Sequence, residues 1–213
     1  MPRVARGLMA VSVLGCVGLV GREAVATLGM GSAPKMHRSQ ASVGYTLAHQ
    51  FLTDRKERNG RILLLFPPDQ AAPAAALDSF YEAFARVMTR FPGVEVREKL
   101  VDVSKSKLRR GQVSLEAFSA ALEVDEKTLA LVSWVGFPHG AEDLPQLKDG
   151  SRRPAVYVYD PSGSTWWMEH VTAGVIQGGV IEKEESDGGG QPGMAPNPAA
   201  VFGERYRLVT AEN

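Results

Sequence analysis

The side chains best suited to chemistry in this chain are two carboxylates and an imidazole, Asp69, His139 and Asp160. Each lies in a Pro- or Gly-containing stretch just after an apolar run. Asp69 follows Pro67-Pro68, His139 ends Val135-Gly136-Phe137-Pro138, and Asp160 opens Asp160-Pro161-Ser162-Gly163. A carboxylate beside an imidazole can move protons or hold a polar ligand. The same residue types also serve as turn and cap residues, since a short carboxylate accepts hydrogen bonds from its own backbone. Trp166-Trp167 follows the last of these turns, and an indole face can stack on a sugar or rest at a membrane surface. Neighbouring helical residues point about 100° apart, so one indole is expected in the core and the other at the rim.

Other catalytic and cofactor patterns are missing. Gly188-Gly189-Gly190-Gln191-Pro192-Gly193 spells G-x-G-x-x-G, but Pro192, Pro196 and Pro198 forbid the helix that must begin there to face a pyrophosphate. The sequence has no phosphate-binding G-x-x-x-x-G-K-[ST] loop and no G-x-S-x-G nucleophile elbow. The single cysteine, Cys16, excludes an intrachain disulfide, a Cys-ligated zinc site and a cluster held by several cysteines. His37, His49, His139 and His170 form no His-Glu-x-x-His helix. No cofactor and no metal is therefore expected. Lys+Arg and Asp+Glu number 24 each, so no global field steers the protein to nucleic acid or to an anionic membrane.

The elements that must position these residues follow from hydrophobic period. Arg61–Phe66 carries five apolar residues without alternation between a charged approach and a turn, which predicts a strand buried on both faces near the middle of a mostly parallel sheet. Thr128–Trp134, Pro154–Tyr159 and Val175–Glu182 predict three more inner strands. Val94–Val103 alternates and predicts a wetter strand near an edge. Arg205–Val209 predicts a closing strand, antiparallel at the edge.

Helices are expected over Ala41–Arg58, over Ala74–Phe91, after Ser114, and from Ser164 or Thr165 to about Ala173 with Gly174 as its stop. Asp69 is a candidate cap for the second and Ser114 for the third. Glu82 and Arg86 are spaced as a supporting pair on the second. The basic stretch Ser104–Gln112 reads as a solvated loop, with phosphate or lipid headgroups as the alternative contact.

Arg3 and Arg6 precede the uncharged run Gly7–Val20, the pattern of a secretory leader and short for a membrane-spanning helix. Val13-Leu14-Gly15-Cys16 resembles a bacterial lipoprotein signal. That resemblance implies lipid attachment at Cys16. An uncleaved signal anchor, cleavage near Ala24 or Ala26, and a buried core segment are the other readings. The first three place the body outside the inner membrane, and a body without cysteine suits an oxidising compartment. The expected organisation is a leader over 1–28, a linker over 29–40, and one α/β domain over 41–213 with a flexible loop at 184–198.

Strand and helix alternate through this body, which predicts an open, mostly parallel α/β sheet with helices on both faces. The element order resembles Rossmann-like folds and one lobe of a periplasmic sugar-binding protein. In such sheets ligands bind beyond the carboxyl ends of the strands, here Pro67–Gln70, Gly136–His139 and Asp160–Ser164. The expected function is a membrane-tethered extracytoplasmic module, non-catalytic, that binds a partner protein or a small ligand. A small enzyme using Asp69, His139 and Asp160, or a solute-binding component, is the alternative.

Overall fold

The computed structural model describes residues 35–57, 59–148, 153–183 and 197–212. Strand β1 (Gly60–Phe66) carries Ile62, Leu63, Leu64, Leu65 and Phe66, none more than 1% exposed. It lies between β2 (Val94–Leu100) and β3 (Thr128–Ser133), both parallel to it. The sheet continues through β4 (Ala155–Tyr159) and β5 (Gly178–Glu182), also parallel, and ends on antiparallel β6 (Tyr206–Thr210). The order is β2-β1-β3-β4-β5-β6. The expected open, mostly parallel α/β sheet is present, with β1 inside it and an antiparallel closing strand.

Helix α1 (Lys35–Asp54) precedes β1, and α2 (Ala74–Met88) joins β1 to β2. Helices α3 (Lys105–Arg109) and α4 (Leu115–Ala121) join β2 to β3. The β3–β4 connection holds a 3-10 turn (Ala141–Asp143) and α5 (Pro145–Lys148). Helix α6 (Met168–Thr172) joins β4 to β5, and α7 (Pro198–Arg205) precedes β6.

Parallel crossovers are right-handed, so the β1–β2 connection and the connections beyond β3 cover opposite faces. The ring contacts agree. On one face Phe80 of α2 meets Phe66 at 5.6 Å, and Phe51 of α1 meets Tyr157 at 6.5 Å. On the other, Trp167 lies over Gly179, where an added Cβ would stand 2.2 Å from the indole. Burying these aliphatic and aromatic side chains, each worth about 1.5–3 kcal/mol, is the main stabilising term.

Edge strand β2 alternates exposed Glu95, Arg97 and Glu98 with half-buried Val94 and Val96. Arg61 bonds Asp125 at 2.8 Å and Glu95 at 3.4 Å, and Lys99 pairs with Glu123. Such exposed pairs add little stability but keep the open edge from recruiting another chain.

Several local expectations are corrected. Helix α1 begins at Lys35, inside the expected linker, with Ser39 and Gln40 buried, and ends at Asp54, short of Arg58. Pro73, with no side-chain cap bond, stands at the start of α2, so Asp69 does not cap it. Ser104 caps α3, turning the supposed basic loop into a helix that buries Leu108. Neither Ser164 nor Thr165 caps α6, which starts after Trp167 without a side-chain cap. Glu82 and Arg86 form no ion pair despite their spacing. Ser114 does cap α4, accepting from the Ala117 amide at 3.2 Å. Gly174, with φ of 70°, ends the α6 segment where any other residue would be strained. The leader with Cys16, and 184–196 of the expected loop, lie outside the described residues. Pro198, the last residue of that loop, opens α7 behind an Asn197 cap.

Candidate functional site

The carboxyl ends of β1, β3 and β4 bring the three expected stretches to one rim of the sheet. The β3 exit turns back on itself. Ser133 donates its hydroxyl to the Gly136 carbonyl at 2.5 Å, and the Gly136 amide reaches the Tyr159 carbonyl of β4 at 3.1 Å. Gly136 has φ of 79°, and a Cβ there would stand 2.7 Å from Asp160 Oδ2. Only glycine therefore allows the β3 and β4 exits to meet.

Asp160 is 8% exposed, and its Oδ1 accepts from the Ser162 amide at 2.8 Å. Burial raises its pKa, because desolvation disfavours the carboxylate, and the bonds from Ser162 work against that rise. His139 is exposed and lies flat on Trp166, with ring centroids 3.7 Å apart and 25° between planes. Asp69 is exposed in the turn after β1. Asp160 is thus occupied with its own turn and His139 with an indole, and the two share no hydrogen bond.

Trp166 is half-buried at the rim and Trp167 is fully buried, its Nε1 donating to the Ser164 carbonyl at 2.9 Å. One indole in the core and one at the rim is the division expected from adjacency.

The structure adds residues that sequence reasoning missed. Trp166 stands edge-on to His170 at 5.1 Å, and buried Phe137 contacts both rings. His170 Nε2 lies 4.0 Å from Glu142 Oε2 and 3.7 Å from Glu169 Oε1. Nε2 and Glu142 Oε2 are buried without a hydrogen-bond partner. Such atoms are uncommon in folded proteins, so they mark this corner of the rim.

On the α1 side, Gln40 donates to Tyr159 Oη at 2.9 Å and accepts from Trp134 Nε1 at 3.1 Å. That side chain ties the start of α1 to the ends of β3 and β4. Leu100 and Leu115, at the end of β2 and the start of α4, are exposed large apolar residues, 47% and 37%. Among the described residues no cluster of His, Cys, Asp and Glu suits a metal ion, and no helix is long and apolar enough to cross a membrane.

No protein-family model matches the sequence, and comparison with curated proteins finds no match. Solved structures do match in fold. A solute-binding protein of an ABC transporter from Burkholderia graminis, in complex with D-arabinose, superposes with a TM-score of 0.52 at 15% identity. An arabinose-binding protein from Geobacillus stearothermophilus gives 0.52 at 15%. A periplasmic solute-binding protein from Actinobacillus succinogenes with bound D-allose gives 0.51 at 10%. The match covers 82% of this chain and about 60% of theirs. The fold is that of one lobe of such proteins, and this chain spans about three fifths of their length.

Proposed function

We propose that the rim formed by the β3 and β4 exits binds a small polyhydroxylated ligand, a sugar or a polyol, without transforming it. The observation that carries this reading is the Trp166–His139 platform at the carboxyl end of a sheet with the solute-binding-protein fold. The exposed His139 ring, backed by Trp166, suits the apolar face of a sugar ring. Small-ligand sites in open α/β sheets lie beyond the carboxyl ends of the strands, as this rim does.

The described residues match one lobe of those proteins. Exposed Leu100 and Leu115 at the same end as the rim favour a second reading, in which a partner protein covers the site. The basic, apolar leader supports an extracytoplasmic location, with Cys16 as the lipid-bearing residue in the tethered form.

Intrinsic fluorescence tests the ligand reading, since Trp134 and Trp167 are buried and Trp166 carries the response. D-arabinose, L-arabinose and D-allose are titrated against the full chain and against Trp166→Ala. A saturable change that weakens by about tenfold or more in the variant supports the site, since one aromatic platform is worth about 1–2 kcal/mol. No saturable change with any sugar or polyol overturns it and leaves the partner reading. Intact mass of the wild type and Cys16→Ser tests the anchor separately. A diacylated chain that starts at Cys16, lost in the variant, is the expected result.

A further inference from the structure

Away from the rim, a cavity lies between α1 and α2, bordered by Pro198 at the start of α7. It encloses about 370 Å³ and is lined by Ala41, Tyr45 and His49 on one wall. The other wall holds Ala83, Arg86 and Arg90 together with Ser79, Glu82 and Val87. The first three residues are one stripe of α1, four apart, and Arg86 and Arg90 are four apart along α2 and its C-terminal extension. The two helices touch at Gly44 and Phe80, where an added Cβ would stand 2.3 Å from the Phe80 carbonyl oxygen.

We propose that this groove binds a small organic monoanion, a carboxylate on an aromatic body. Among the described residues neither guanidinium has a carboxylate partner, although Glu82 stands one turn from Arg86 and lines the same cavity. Two unpaired guanidinium forks match the planar, two-oxygen edge of a carboxylate. Tyr45 and His49, with ring centroids 4.3 Å apart, offer an aromatic wall opposite Ala83 and Val87. Glu82 selects against a dianion by adding one negative charge to the wall. The volume falls in the range of small-molecule sites, roughly 300–1,000 Å³. None of these residues belongs to the rim, so this site stands or falls independently of sugar binding.

Ligand-detected NMR and calorimetry on the full chain test it, with phenylacetate as the anionic probe and phenylacetamide as its neutral twin. Phenylacetate is expected to bind saturably and the amide about tenfold more weakly, the value of a charge-assisted bond pair. The double variant Arg86→Gln/Arg90→Gln should abolish that difference, and Ala83→Leu, which fills the groove, should weaken both probes. Excess D-arabinose should leave phenylacetate binding unchanged. Absence of saturable phenylacetate binding, equal affinity for the amide, or an unchanged affinity in the double variant overturns the proposal.

Discussion

Replacing Gly44 by alanine separates two physical effects that predict opposite signs. Alanine is the better helix former, so propensity alone predicts a gain of about 0.8–1 kcal/mol inside α1. Packing predicts the reverse. The new Cβ would stand 2.3 Å from the Phe80 carbonyl oxygen and 3.1 Å from its carbon, against ordinary contact at 3.4–4 Å. The obstacle is backbone in the middle of α2, so no rotamer change relieves it. The helices must part by about 1 Å at their crossing. Overpacking of this kind costs about 1–3 kcal/mol, and its upper part applies because neither partner can turn away. The expected net effect is a loss of about 1–2 kcal/mol. Gly203→Ala in α7 is the control, since its Cβ meets nothing within 4 Å and should gain about 0.5–1 kcal/mol. Urea unfolding followed by circular dichroism reads both as shifts in midpoint at constant slope. If Gly44→Ala moves the midpoint upward as Gly203→Ala does, the α1–α2 contact is absent and the groove beside it has no floor.

Other predictions rest on single contacts. Gly179→Ala should cost about 1–3 kcal/mol in the same assay, because its Cβ would stand 2.2 Å from the buried Trp167 ring. Gln40→Met should cost about 2 kcal/mol or more, since it strips both Trp134 Nε1 and Tyr159 Oη of a buried partner. An unchanged midpoint in either case would show that the contact does not bear on stability. Asp160 has a native pKa raised above 3.8, so folding takes up protons there and this group's contribution to stability rises as pH falls through its native pKa toward 3.8. Asp160→Asn keeps an acceptor for the Ser162 amide and removes the ionisation penalty. It should match or exceed the wild type at neutral pH and lose that advantage near pH 3.8, and a pH-independent difference would contradict the burial argument.

The sheet was legible because its cause is local. Ile62–Phe66 has no polar residue to turn toward water, so it had to be interior, whereas β2 alternates and had to border solvent. Gly174 after an apolar stripe marked the end of α6, and Ser114 marked the start of α4. What stayed hidden depends on residues far apart in the chain. Gln40 reads as the last residue of a polar linker until Trp134 and Tyr159, 94 and 119 positions away, supply its partners. Gly179 looks like a weak spot in a strand until Trp167 fills the space above it.

The rim was legible as a place and less so as an arrangement. Asp160 and His139 were identifiable as end-of-strand polar residues. The positive φ of Gly136 and the stacking on Trp166, which decide whom each residue meets, come from loop geometry that no periodicity encodes. His170 and Glu142 gave no signal of their own, being a single imidazole on a short helix and one acid in a 3-10 turn.

Because β6 runs against β5, Thr210 sits beside Gly178, where β5 begins, rather than beside the strand ends that carry Asp160 and the indole platform. A fluorophore, affinity handle or sensor surface coupled after that residue attaches to the far pole of the sheet. Immobilisation through that pole of the sheet therefore leaves the face with Trp166 and His139 turned toward solution.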